Sequence, residues 1–328
     1  MSKENRVKIA ERTNNPVLKF FSENLGIIAA LIVISVIVAI MSPVFLSVDN
    51  ALSVGRQIST NAVLTLGMAM VIITGGIDLS VGAVVALTGT LCVGFINQGM
   101  PVPVSVILCV GIGVLVGFLN GVIIAKTGMA PFIVTMSTMN IGRGIAYLYS
   151  GGLPLRCTRD DFAVLGTGYL GPVPLPIIYL AALILIVWML LSRAKFGTYV
   201  YALGGNREAA KFSGIPTVKI EIIVYTLSGF LSGFAGVVLA ARMFSGQPSV
   251  QQGAEMDAIA ACVLGGVSMT GGMGKVGGTM IGALIIGVIS NGLNLLNVNS
   301  FVSNIVKGII VLIAVYIDII KKKKMLKG

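Results

Sequence analysis

Val104-Ser-Val-Ile-Leu-Cys-Val-Gly-Ile-Gly-Val-Leu-Val-Gly-Phe-Leu-Asn-Gly-Val-Ile-Ile-Ala125 runs 22 residues without a charge and is closed by Lys126. As a helix rising 1.5 Å per residue it would reach about 33 Å, enough to cross a hydrocarbon core roughly 30 Å thick. Gly113, Gly117 and Gly121 recur at every fourth position. That spacing lines one face with small residues and lets two backbones approach closely inside a bilayer.

Nine further apolar runs flank this one, at 25–41, 58–74, 81–96, 132–149, 175–191, 220–241, 257–264, 276–293 and 302–317. The chain is 56% hydrophobic and 11% charged, against about 45–50% and about 25% in soluble domains, which excludes a water-soluble fold. Ten spans of about 20 residues would occupy roughly 200 of the 328 positions, leaving no length for a sizeable soluble domain. The fold class is an all-α polytopic integral membrane protein of about ten transmembrane helices, eight being the other even count. Run 257–264 is too short to span unless it extends from about 254 to 269, and it reads as broken or re-entrant, which a bilayer tolerates where protein covers the backbone.

The net charge of +11 reads as topology, because a nucleic-acid surface would need a basic face on a folded soluble module. Loops placed inside carry seventeen cations: Lys3, Arg6, Lys8, Arg12, Lys19, Lys126, Arg193, Lys195, Arg207, Lys211, Lys219, Lys275, Lys321, Lys322, Lys323, Lys324 and Lys327. The outer side holds six, Arg56, Arg143, Arg156, Arg159, Arg242 and Lys307. This bias puts both termini in the cytoplasm. The chain divides into a cytoplasmic tail (1–24), one transmembrane domain (25–318) with a long inner connection at 192–219, and a basic cytoplasmic tail (319–328). The basic start followed by an apolar run imitates a signal peptide but has no A-x-A cleavage site, and it is taken as the first span. Cys92, Cys109 and Cys262 lie in apolar runs, Cys157 stands alone in a polar loop, and histidine is absent. No disulfide framework, metal site or cofactor is expected from that set.

Several motifs bear on function. Glycines four apart recur at Gly229 and Gly233 and at Gly278 and Gly282, as static packing or as seams that slide during transport. Gly75-Gly76-Ile77-Asp78-Leu79-Ser80 forms an inner turn in which Asp78 and Ser80 can cap the next helix. Asp78 would sit near the cytoplasmic interface, with water available. The other reading makes it an ion-coupling acid. Arg143 lies about eleven residues into its span, where a cation must face a polar pathway or snorkel. Arg242 is placed to pair with Glu255 or Asp257, and Lys307 to reach the outer interface along its own stem. Gly271-Gly272-Met273-Gly274-Lys275 imitates a phosphate loop, but Met269 and Val276 stand where glycine and a hydroxyl are required, so the chain has no ATP site of its own. In the inner connection Asn206-Arg207-Glu208-Ala209-Ala210-Lys211-Phe212-Ser213-Gly214-Ile215, Asn206 makes an N-cap, Glu208, Ala209 and Ala210 suit a first turn, Lys211 lies toward the end, and Gly214 stops a short amphipathic helix with Phe212 and Ile215 available. It is either a plain interfacial helix or a docking knob for a peripheral partner.

The stretches Gly75-Gly-Ile-Asp-Leu-Ser-Val-Gly82, Tyr201-Ala-Leu-Gly-Gly-Asn206 through Ile215, and Glu255-Met-Asp-Ala-Ile-Ala-Ala-Cys-Val-Leu-Gly-Gly266 resemble the permease subunits of bacterial ABC importers for ribose, galactosides, xylose and related sugars, those for ribose most. Residues 271–282 and 291–295 extend the resemblance. It implies a homodimer or heterodimer of permeases in membrane lipid, cytoplasmic ATPase subunits, and an extracytoplasmic sugar-binding protein. Residues 207–215 would be the coupling helix seated in the ATPase, and sugar would pass at the permease dimer interface. The loop with Arg242, Gln247 and Glu255 is a candidate docking surface for the binding protein. An ion-coupled secondary sugar transporter using Asp78 or Arg143 is the alternative.

Overall fold

The computed structural model describes Phe21 and residues 24–325; most of the 1–24 tail and the last three residues lie outside that range. Every one of the ten apolar runs lies on a helix: α1 (Leu25–Met41), α2 (Val48–Ile73), α3 (Val81–Asn97), α4 (Val102–Thr127), α5 (Pro131–Ser150), α7 (Leu175–Ser192), α10 (Thr217–Met243), α11 (Ala254–Leu264), α12 (Val276–Leu295) and α13 (Ser300–Met325). Among the described residues α2, α4, α7, α10 and α12 are long and apolar enough to cross a membrane. α11 is only 11 residues long, half a span at 1.5 Å per residue. The helix of α13 continues through Lys321 to Lys324 to its end at Met325.

Exposed apolar side chains belt the bundle, including Ile32 and Ile40 of α1, Leu115 and Phe118 of α4, and Leu185 and Trp188 of α7. A surface of that extent belongs against lipid rather than water. The interior is built around α2 and α10, whose Leu64, Met68, Met70, Ile72, Val224 and Tyr225 are fully buried.

The glycine seams of the sequence meet one another. A β-carbon on Gly113 would lie 2.6 Å from the Gly229 carbonyl oxygen and 2.7 Å from Gly233 Cα, and one on Gly121 would lie 2.8 Å from Ile222 Cα. The row on α4 is therefore pressed backbone to backbone against α10, at separations no larger side chain permits. Gly282 packs in the same way against the Ala261 carbonyl, joining α12 to α11.

The 150–174 connection is more ordered than its polar composition suggests. It carries β1 (Leu155–Arg156), a short helix α6 (Asp160–Thr167), and the hairpin of β2 (Tyr169–Leu170) with β3 (Val173–Pro174). β1 pairs antiparallel with β4 (Ser245–Gly246), in register Leu155 to Gly246 and Arg156 to Ser245. The pairing folds the connection over the end of α10. Cys157 is consequently buried with Cys92, Cys109 and Phe162 in one apolar cluster, which corrects its reading as an isolated loop cysteine. All four cysteines are free thiols.

Candidate functional site

The 193–216 connection holds two helices, α8 (Lys195–Gly205) and α9 (Arg207–Phe212). α8 escaped the sequence reading, although Phe196, Val200 and Leu203 fall at helical spacing and Val200 and Leu203 are buried. Asn206 caps α9, its Oδ1 accepting from the Ala209 N–H at 2.9 Å, and Gly214 reverses the chain with φ +78°, a conformation that favours glycine. Glu208, Ala209, Lys211, Ser213 and Gly214 are exposed, and Phe212 is 87% exposed, while Ala210 is buried beneath them. A bare phenylalanine on a charged helix is a feature a partner would cover.

This segment is tied to the bundle at two places. Arg207 donates from Nη1 and Nη2 to the two carboxylate oxygens of Glu221 at 2.9 and 2.6 Å. Glu221 is 5% exposed and lies in the first two turns of α10, so a bidentate ion pair fixes the start of α9 to that helix. Hydrogen bonding to Glu221 raises the Arg207 guanidinium further above its usual range. Sequence reasoning passed over Glu221, though an acid inside an apolar run is a signal.

At the second place three glycine turns interlock. Gly204 lies directly against the Ile73 carbonyl at the end of α2 and the Gly272 N–H; Gly272 N–H donates to Ile73 O at 2.8 Å, and the Tyr201 hydroxyl donates to Gly274 O at 2.8 Å. The stretch that imitates a phosphate loop is thus the socket for α8. α8 and α9 are thus joined by direct contacts to α2, α10 and the turn before α12.

Asp78 is 1% exposed, so the expectation of a watery interface is corrected: the turn folds inward beneath α10. Its Oδ1 accepts from the Ser80 N–H at 3.0 Å and the Ser80 hydroxyl at 2.6 Å, and its Oδ2 accepts from the Ser228 hydroxyl at 2.8 Å. The Ser80 side chain does not cap α3; it also accepts from Asn120 Nδ2 at 3.1 Å, and Asn120 Oδ1 accepts from the Thr138 hydroxyl at 2.6 Å. Thr138, Asn120, Ser80, Asp78 and Ser228 therefore form one polar chain linking α5, α4, the turn at Gly75 and Gly76, and α10. Such bonds hold helices together where water is excluded. Both Asp78 oxygens accept from hydroxyl or amide donors.

The opposite end of the bundle departs from expectation at three cations. Arg143 is held by backbone: its Nη1 donates to the carbonyls of Pro248 and Val250 at 2.9 and 2.7 Å, clamping the segment between α10 and α11. Arg242 pairs with neither Glu255 nor Asp257 but donates to Arg56 O at 2.8 Å, because β1 and α6 close over the end of α10. Asp257 instead binds Lys307 at 2.7 Å, so Lys307 turns inward. Gln247 is half-buried, and Glu255 Oε2 is buried without a partner beside Gly82. Arg242, Gln247 and Glu255 are each partly exposed.

A belt of lipid-facing helices, a half-length helix in the interior and an exposed short helix locked to the core define a polytopic membrane transport subunit. A family model described as branched-chain amino acid transport system / permease component matches residues 50–315, and the chain belongs to this family of membrane permeases. It is similar to the ribose import permease protein of Bacillus subtilis strain 168, 44% identical over 90% of this chain and 92% of the relative. It is also similar to that of Haemophilus influenzae, 42% identical over 94% and 96%, and to the L-arabinose transport system permease protein of Escherichia coli K12, 38% identical over 91% of each. No solved structure matches it.

Proposed function

We propose that this chain is the translocation subunit of an ATP-driven importer of ribose, with α9 as the helix that couples it to a cytoplasmic ATPase subunit. The single observation that carries the coupling role is the exposed Phe212 on a helix whose Arg207 is locked to Glu221. Ribose is taken from the names of the relatives at 42–44% identity. In this reading ten helices enter the bilayer, α11 among them as a half-span, and both termini and α9 face the cytoplasm. An extracytoplasmic sugar-binding protein docks at the other end, over the loop with Arg242, Gln247 and Glu255. A second permease copy packs against α5, where Ser137 and Asn140 are exposed and would otherwise face lipid at a cost, and sugar passes between the copies.

The test separates ATP from ion coupling. Ribose uptake by cells expressing the system stops on ATP depletion and keeps more than half its rate under a protonophore at constant ATP. Asp78→Asn also keeps more than half the rate, because the amide still accepts from Ser80 and can donate to Ser228. Uptake that collapses with the protonophore, and in Asp78→Asn, sinks the proposal in favour of the ion-coupled carrier.

A further inference from the structure

We infer that each copy of the permease holds one monosaccharide in a cavity of its own, at the end of the bundle opposite α9, rather than only between copies. This rests on the importer reading above and adds to it a location and a set of residues. The cavity encloses about 370 Å³, within the range of small-molecule sites. Gln57 and Asn61 of α2, Asn294 of α12, Asn304 of α13 and Gln252 from the segment before α11 line it. Asn61 is thirteen residues from the start of α2, about 20 Å along the helix axis, so the cavity reaches from the end of the bundle well into the span.

The chemistry of the wall selects a neutral polyol. A carboxamide offers two donors and an acceptor, and a sugar hydroxyl is both donor and acceptor, so a ring of amides matches a ring of hydroxyls. The side chains of Gln57, Gln252, Asn294 and Asn304 make no hydrogen bond among the described residues. The charges at the cavity are neutralised or directed elsewhere: Lys307 is bound to Asp257 at 2.7 Å, and Arg242 donates to a backbone carbonyl. An ionic cargo would have no counter-ion waiting for it. Leu239, Met243 and Val250 supply an apolar side for the C–H face of a sugar ring.

One backbone feature accompanies this wall. Gln251 holds φ +56°, left-handed for a residue with a side chain, while its Nε2 donates to Asn61 Oδ1 at 3.0 Å. Backbone strain of this kind persists where the surroundings enforce it, and it clusters at binding sites.

The experiment uses the permease reconstituted in proteoliposomes with the ATPase and binding-protein subunits of its own system. Gln57→Leu and Asn294→Leu each lower ATP-driven D-ribose uptake roughly tenfold, as expected when a site built for hydroxyls loses a polar group. In a second arm, Asn304→Cys reacts with a charged thiol reagent and millimolar D-ribose, without binding protein, protects it; the buried native cysteines of the parent protein give the background. Uptake within about twofold of wild type in both leucine variants, with no protection by ribose, overturns the cavity. Failure of the importer reading looks different: the unmodified system itself then moves no ribose with ATP.

Discussion

Arg207→Ala permease, assembled with its ATPase and binding-protein partners, is expected to lose at least about tenfold of its ATP-driven ribose uptake. Two effects combine. The substitution frees the start of α9 from α10, and it strands Glu221, 5% exposed, without its cation, the expensive way to break a buried pair. The second effect is removable. In Arg207→Ala/Glu221→Gln the stranded charge is gone, so expression and thermal stability recover toward wild type while uptake stays low. Arg207→Lys keeps the charge but not the two-pronged geometry and falls between. If the double variant recovers uptake along with stability, the ion pair serves folding alone and the coupling role assigned to it is wrong.

The second large effect is on the bundle itself. Gly117→Leu drives a side chain into the Tyr225 carbonyl and to within 2.9 Å of Gly229 Cα, backbone that cannot move aside without parting α4 from α10. A cost of more than about 3 kcal/mol is expected from overpacking of this kind, seen as a fall of about 10 °C in the thermal midpoint in detergent and loss of the monodisperse species. Gly111 is the internal control. It lies on the same helix nearly two turns earlier, and a β-carbon there would meet nothing within 4 Å, so Gly111→Leu is expected to change stability by less than about 1 kcal/mol. Equal effects at the two positions would show that the glycine rows owe nothing to close approach.

Helix positions were legible because a bilayer demands long apolar runs, and each such run from 25–41 to 302–317 lies on a helix. The glycines at spacing four were legible for the same reason, and so was the cap at Asn206, a local device that depends on residues three apart. Arrangements that depend on distant segments were not. Glu221 went unread because its partner, Arg207, stands fourteen positions away in the preceding connection. Asp78 read as a solvated cap because its burial comes from Ser228, 150 positions away. Arg242 was matched to Glu255 and Asp257 by nearness in sequence, but Arg56 and Lys307, brought in from α2 and α13, settle the pairing. The cavity was illegible for the same reason: Asn61 lies on α2, Asn294 on α12 and Asn304 on α13, and only the packing of these helices places them on one wall.

The central claim is that the chain passes ribose only when an ATPase engages α9. The direct measurement is D-ribose uptake into proteoliposomes containing the permease with the ATPase and binding-protein subunits, with and without ATP, for wild type and Phe212→Asp. The account predicts ATP-dependent accumulation by wild type. It predicts at least about a tenfold loss in Phe212→Asp, whose exposed side chain (87%) can change without disturbing the bundle. Ribose accumulation that proceeds at the same rate without ATP, or that survives Phe212→Asp undiminished, would contradict it.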